Sequence, residues 1–173
     1  MLNVVNVVIT TDLGMSLDLS DIANKLNAPY NPKKFDGVVH RIPNPKCTSI
    51  FLKNGTVVCN LKHFEDIEKW QLVFLDVLKK IDIHKTAINI NIRNIVAAQD
   101  LGTSLNLMHL ASELGFENVE YHPESFVGLV YKIPEYNATL MIFRTGKVNI
   151  VGTKTLDDAQ FAFDKLKNKL NIE

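Results

Sequence analysis

The sequence is poor in sulfur and indole: its 173 residues include two cysteines, Cys47 and Cys59, and one tryptophan, Trp70. Two cysteines that are not in a metal-ligand spacing exclude a disulfide framework and a zinc centre. They fit a reducing compartment and a structural role. Charge of one sign is also missing, since 19 Lys and Arg are matched by 19 Asp and Glu. Taken alone, that balance argues mildly against a nucleic-acid partner, although a local basic stripe can hide inside a neutral sum. No apolar run reaches the roughly 18 residues of a membrane-spanning helix, so no membrane partner is expected. Met1 leads straight into Val4, Val5, Val7, Val8 and Ile9 without a basic flank or a small-residue cleavage site, so no signal peptide is expected. With 46% hydrophobic and 22% charged residues, disorder is excluded as the main state, and the chain is long enough for a sizeable core.

Enzyme signatures are equally scarce. His40, His63, His84, His109 and His122 form no HxxxH or His–Cys pattern, and neither a Walker loop nor a GxGxxG run is present. No catalytic residue, metal or cofactor is expected. Asp12 and Asp100 could suggest paired carboxylates, but each precedes Leu-Gly, which favours a turn-forming role.

What is present is a repeat. Asn6-Val7-Val8 is echoed by Asn94-Ile95-Val96 at an offset of 88, and Asp12-Leu13-Gly14 by Asp100-Leu101-Gly102. From Tyr30 onward the offset is 91: Phe35 to Pro43 matches Phe126 to Pro134, Thr48 matches Thr139, and Gly55 matches Gly146. The three extra residues fall near positions 115–119, where a loop tolerates them. A period this long is no solenoid unit. It implies two tandem copies, residues 1–86 and 87–173, and a pseudo-twofold molecule suited to a nearly twofold partner such as duplex DNA.

Each copy reads as strand, short helix, strand block and long helix, an α+β pattern. The spacing predicts strands over about Asn3–Thr10 and Ala87–Ala98, and helices beginning at Leu17 and Leu105. Turns are predicted at Pro43-Asn44-Pro45, Asn54-Gly55 and Thr145-Gly146. Closing helices are predicted over about Phe64–Ile81 and Leu156–Leu170, with Phe161, Phe163, Leu166 and Leu170 on one apolar side. Trp70 is read as core rather than as an exposed anchor. Alternation along Ile88 to Arg93 switches parity at Asn94, which calls for a bulge or a change of environment. Large apolar residues beside the turns (Phe35, Ile50, Leu52 and Val58, then Phe126, Met141 and Phe143) are either core or an exposed interaction surface.

These residues carry a resemblance. Tyr30-Asn31-Pro32-Lys33-Lys34-Phe35, Val38-Val39-His40-Arg41-Ile42, Tyr121-His122-Pro123-Glu124-Ser125-Phe126 and Ile142-Phe143-Arg144-Thr145-Gly146-Lys147-Val148 resemble the core domain of the TATA-box-binding protein family. The resemblance runs from about residue 3 to 170. It implies a pseudo-twofold saddle: a curved, ten-stranded antiparallel sheet with four main helices on its convex face. The concave face would enter the minor groove of A·T-rich promoter DNA, whose acceptors lack the obstructing guanine amino group. Phenylalanines would wedge between base steps and bend the duplex.

Carried over by position, Asn6 and Asn94 would donate to central base acceptors, beside Val8 and Val96. Phe126 and Phe143 would form one complete wedge. Phe35 would form half of the other, with Leu52 in place of a phenylalanine. Ile50, Val58 and Met141 would line the groove, and Arg41, Lys132 and Lys147 would meet phosphates, assisted by Lys34 and Lys46. Several positions depart from the family. Asn60 and Val151 replace threonines, Asn149 replaces a valine, Thr56 stands opposite Lys147, and Asp36 follows the first wedge. The implied protein partner is a transcription factor IIB-like protein at Glu124, where His122 and Ser125 depart from the pattern. Contacts to a transcription factor IIA-like protein need a basic helix that here reads Phe64-Glu65-Asp66-Ile67-Glu68-Lys69-Trp70. A weakly held second copy of the chain is the remaining protein partner considered.

Two functions therefore stand. One is a general transcription initiation factor that bends promoter DNA and recruits initiation factors and polymerase, in a nucleus or alternatively in an archaeal cell or at a viral replication site. The other is a divergent or viral relative acting mainly as a protein-interaction module. The Asn-, Ile- and Lys-rich wording and the drift at the partner surfaces fit a divergent eukaryotic or viral version, and sequence alone leaves the source open.

Overall fold

The computed structural model describes residues 2–172; Met1 and Glu173, the outer limits of the two assigned copies, lie outside the described residues. Two compact units result: Asn6–Ile92, and Arg93–Glu173 together with the start of the first strand up to Val5. The first half of the chain runs β1 (Asn3–Asp12), α1 (Leu19–Leu26), β2 (Gly37–Pro43), β3 (Lys46–Leu52), β4 (Thr56–Leu61) and α2 (Asp66–Lys80). The second runs β5 (Asn91–Asp100), α3 (Leu107–Leu114), β6 (Val119–Glu120), β7 (Leu129–Ile133), a 3-10 turn (Pro134–Tyr136), β8 (Ala138–Ile142), β9 (Lys147–Thr153) and α4 (Leu156–Lys169). Strand order is β2-β3-β4-β1 in the first unit and β5-β9-β8-β7-β6 in the second, with antiparallel pairs.

Period-two alternation decides which face each strand buries. In β3, Cys47, Ser49 and Phe51 are buried while Thr48, Ile50 and Leu52 are half-buried. In β8, Ala138, Leu140 and Ile142 are buried while Thr139 and Met141 are half-buried. Against the buried faces lie the helices. Trp70 is fully buried, as its core reading expects, and its indole N–H donates to Ser49 Oγ at 3.0 Å. Its ring stacks on Phe74 at 4.6 Å, and Phe74 stacks on Phe51 at 5.7 Å. In the second unit Ala159, Ala162, Phe163 and Leu166 of α4 pack with Leu107, Leu110 and Ala111 of α3 over β7–β9.

The starts of α1, α3 and α4 are fixed by side-chain caps, which satisfy amides that a first turn leaves unpaired, while α2 starts without one. Asp18 Oδ1 accepts from Asp21 N–H, Asn106 Oδ1 from His109 N–H, and Thr155 Oγ1 from Asp158 N–H. Asp12 and Asp100 are turn formers: each carboxylate accepts the N–H of the following glycine, Gly14 at 2.8 Å and Gly102 at 2.9 Å. The Asn54-Gly55 and Thr145-Gly146 turns form in both copies. Gly55 and Gly146 sit at φ +90° and +87°, and a Cβ on either would lie 2.2 Å from the carbonyl oxygen of Met15 or Thr103. Only glycine fits there, on conformation and on space.

The structure corrects four expectations. Nine strands form among the described residues, not ten. β6 has no first-copy counterpart because Pro29 occupies the place of Glu120, and proline has no N–H for the ladder. β5 begins at Asn91 rather than near Ala87. α2 begins at Asp66 rather than Phe64. Phe161 is 53% exposed rather than aligned with Phe163 and Leu166, since residues two apart point about 200° apart around a helix.

Candidate nucleic-acid interface

The faces turned away from the helices hold most of the residues singled out from sequence. In the first unit the register sets Val39 beside Ile50, Ile50 beside Val58, and Val58 beside Thr10. A second row runs Arg41, Thr48, Asn60 and Val8. The second unit repeats the plan: Val130, Met141, Asn149 and Ala98 form one row, and Lys132, Thr139 and Val151 begin the other. Val58 therefore corresponds to Asn149, and Ile150 lies on the buried face.

At the strand ends stand the aromatic residues. Phe35 is 48% exposed and Phe126 37% exposed, so neither ring is sealed in a core. Phe126 meets Phe143 edge to face, with ring centroids 5.9 Å apart. Each ring lies over a glycine. A Cβ on Gly128 would sit 2.8 Å from Phe126 and 3.1 Å from Phe143; one on Gly37 would sit 2.5 Å from Phe35. Leu52 is half-buried at the first copy's matching position, beside Gly37 in the ladder.

Asn6, Val8, Asn94 and Val96 are half-buried, on the same strand parity as one another. The parity switch read from sequence is a change of environment: β5 alternates without interruption, and one of its faces passes from exposed Asn91 and Arg93 to buried Ile95 and Ala97. The β5–β9 ladder separately carries a bulge, Ile95 pairing with Thr153 but Ala97 with Ile150. The extra residue lies on β9, where Gly152 adopts φ +95°. Its N–H donates to Asn94 Oδ1 at 2.8 Å. That bond engages the oxygen end of the amide and leaves the NH2 end as the free donor. In the first unit the β1–β4 register runs on without a shift, with Leu61 opposite Val7 as Thr153 is opposite Ile95.

Charge is arranged unevenly. Lys132 is exposed but pairs with Glu120 at 2.5 Å, and this ion pair holds the Glu120 carboxyl below its usual range. Sequence reasoning missed Glu120; its alternation in an edge strand beside β7 was the available signal. Arg41, Lys34, Lys46 and Lys147 are exposed, as is Glu124 with its neighbours His122 and Ser125. Asp36 accepts a hydrogen bond from the Tyr30 hydroxyl at 3.0 Å. Burial and that bond push the Tyr30 phenol up, so it stays protonated as the donor. Among the described residues no cluster of His, Cys, Asp or Glu could hold a metal ion.

Comparison with known proteins adds three findings. The family described as "Transcription factor TFIID (or TATA-binding protein, TBP)" matches twice, over residues 1–81 and 89–172. Relatives include the TATA-box-binding protein of Natronomonas pharaonis, 38% identical over 98% of this chain and 92% of its own length, and that of Picrophilus torridus, 40% identical over 95% and 91%. Among solved structures, "Methanococcus jannaschii TBP" matches with a TM-score of 0.84 and 34% identity, covering 98% of both chains.

Proposed function

Because the chain belongs to the TATA-binding protein family, we propose that it is a general transcription initiation factor that binds A·T-rich promoter DNA through the minor groove and bends it. The observation that carries this reading is the apolar face of each unit, with exposed Phe126 set edge to face on half-buried Phe143 at the end of the second unit's strands. An apolar surface with aromatic wedges suits an opened groove, whose unstacked steps accept rings and whose A·T edges present only acceptors. In this reading 1–86 and 87–173 are the two repeats of one DNA-binding domain.

The side chains divide the work. Asn6 and Asn94 donate to N3 and O2 acceptors at the centre, with Val8 and Val96 against the central bases. Phe126 with Phe143, and Phe35 with Leu52, wedge the outer steps. Ile50, Val58 and Met141 line the groove, Asn60 keeps a hydrogen-bonding group where Val151 has none, and Arg41, Lys132 and Lys147 meet phosphates. Asp36 is engaged by the Tyr30 hydroxyl of the same chain rather than left free beside the DNA backbone. With Val151 and Asn149 in the face, base discrimination is relaxed: competition among variant A·T-rich sites should show shallow differences, and a sharp TATA preference would refute that point.

The exposed segment around Glu124 is the proposed seat of a transcription factor IIB-like protein. The relatives compared are archaeal, which supports an archaeal cell rather than a nucleus as the setting. The deciding experiment is a fluorescence-transfer bending assay on an A·T-rich duplex across a salt series. Bending that disappears in the Phe126→Ala, Phe143→Ala double variant supports the proposal. Absence of duplex binding by the unaltered chain at low salt overturns it in favour of a protein-interaction module, the reading that Val151 and Asn149 favour.

A further inference from the structure

The two asparagines assigned to the centre of the site are held differently. In the second unit β9 carries one residue more than β5 between the Ile95–Thr153 and Ala97–Ile150 pairs. A bulge leaves its extra residue out of the ladder, and the Gly152 N–H donates instead to Asn94 Oδ1 at 2.8 Å. Gly152 sits at φ +95°, and a Cβ on it would lie 2.5 Å from the carbonyl oxygen of Asn137, so the bulge admits no side chain there. In the first unit Val7 pairs with Leu61 and Val8 with Asn60, and no extra residue stands beside Asn6. Asn6 is half-buried like Asn94, yet among the described residues no hydrogen bond engages its amide.

That difference bears on what each amide can present. Turning an asparagine amide over exchanges its two-hydrogen donor for its oxygen acceptor. For Asn94 the turn would set NH2 against the Gly152 N–H, donor against donor, and lose the bond. Its NH2 therefore stays on the side away from Gly152. Asn6 has no such neighbour and can offer either end. On the minor-groove edge an A·T pair presents only acceptors, while a G·C pair adds the guanine amino donor. A fixed NH2 meets that amino group as a second donor, whereas a free amide answers it with oxygen.

We propose that Gly152 is a positioning residue that makes the second repeat reject a G·C pair beside the centre of the site, while the first repeat, which lacks that residue, accepts either kind of pair. This rests on the DNA-binding reading above and makes its relaxed discrimination one-sided. The neighbours of the two amides are the same residue type, Val8 and Val96, so the bulk of a guanine amino group weighs equally on both repeats. What differs is the freedom of the amide. The consequence is polarity: on a site with one G·C pair beside its centre, the chain turns to place that pair under Asn6.

The test compares affinities of the full chain for three duplexes: a palindromic A·T-rich one, the same with the pair beside the centre changed to G·C in one half, and the same changed in both halves. A penalty of about tenfold confined to Asn94 gives a first step of about twofold, the loss of one of two equivalent orientations, and a second step of about fivefold. Penalties shared by the repeats give two equal steps instead. Inosine in place of guanine lacks the amino group and should flatten both steps. A glycine inserted between Asn60 and Leu61 should make the steps equal, and Asn94→Ala should flatten them. Thermal unfolding of each variant reports whether the fold survives. Equal steps in the unaltered chain, a second step that persists with inosine or in folded Asn94→Ala, or unequal steps in the folded insertion variant overturn the proposal and leave the DNA-binding reading intact. Failure of the unaltered chain to bind the A·T-rich duplex overturns both.

Discussion

In the first unit Trp70, Phe74 and Phe51 form an aromatic stack beneath the sheet, and Ser49 is buried to meet the indole N–H. In the second, Phe163 is the corresponding buried ring of its helix. The residue four places before it is Ala159, and Leu140 stands where Ser49 stands in the first. One copy fills its interior with a large amphipathic ring and a polar partner, the other with small and aliphatic side chains. On the opposite faces the contrast reverses. The second unit has the paired rings Phe126 and Phe143 and a bulge that fixes Asn94; the first has Phe35, Leu52 and an unbulged β4. Both keep the same turn bonds and a side-chain cap on the short helix: Leu13 N–H to Gly55 O and Leu101 N–H to Gly146 O, Leu17 N–H to Lys53 O and Leu105 N–H to Arg144 O. Divergence has entered mainly through side chains of the core and of the open face, with the β9 bulge and β6 as the backbone differences, while these shared turn bonds have held.

The largest expected effect breaks the interior half of this comparison. Trp70→Ala should cost about 3–5 kcal/mol in chemical denaturation. Trp70→Phe, which keeps an aromatic ring but removes the indole N–H that Ser49 Oγ accepts, should cost about 1–3 kcal/mol. Exposed Phe161→Ala should stay within about 0.5 kcal/mol.

The next effect concerns the wedges. Phe126→Ala with Phe143→Ala should weaken duplex binding by about 100-fold or more and abolish bending, since stacking of one aromatic on a base contributes about 1–3 kcal/mol. Leu52→Ala should cost less, about tenfold or below, and Leu52→Phe should tighten binding and make the two ends of the bend more alike in footprinting. Equal effects at both ends would show that the missing phenylalanine is immaterial.

The smallest effect concerns charge. Glu120→Gln releases Lys132 and should strengthen duplex binding by a few-fold at low salt, with little change at high salt. The sign with pH follows from the depressed Glu120 carboxyl: the ion pair is present at neutral pH and is lost only as pH falls through that lowered value. Acidification into that window should therefore strengthen binding of the unaltered chain more than of Glu120→Gln. The first repeat, with Pro29 in the matching place, has no such pair to lose.

Much of this was legible before the structure. The doubled Asp-Leu-Gly and the Asn-Gly and Thr-Gly turns located where β1 and β5 end and where β4 and β9 begin, because local turn chemistry needs few neighbours. The alternation of β3 and β8 separated the buried face from the open one, and the parity switch at Asn94 marked a strand passing between environments. The bulge on β9 went unannounced, since Gly152 also reads as an ordinary loop glycine. Exposure of Phe161 was missed because two aromatics close in sequence suggest one face, whereas helical geometry separates them. The Glu120–Lys132 pair and the Tyr30–Asp36 bond were invisible because each joins residues whose approach depends on the pairing of β6 with β7 or on a loop's path. The absent tenth strand was legible after all in Pro29, once its match to Glu120 is drawn.

Trp70, Cys47 and Cys59 all lie in the first unit, and the second has neither indole nor thiol. Both cysteines are buried and free, and the hydrogen bond to Cys47 together with burial pushes the Cys59 thiol far up, so its sulfur stays protonated and unreactive while the core is closed. The molecule consequently carries intrinsic reporters for one half alone: indole emission and the rate of thiol labelling clock the opening of the first repeat, and the second repeat is silent to both.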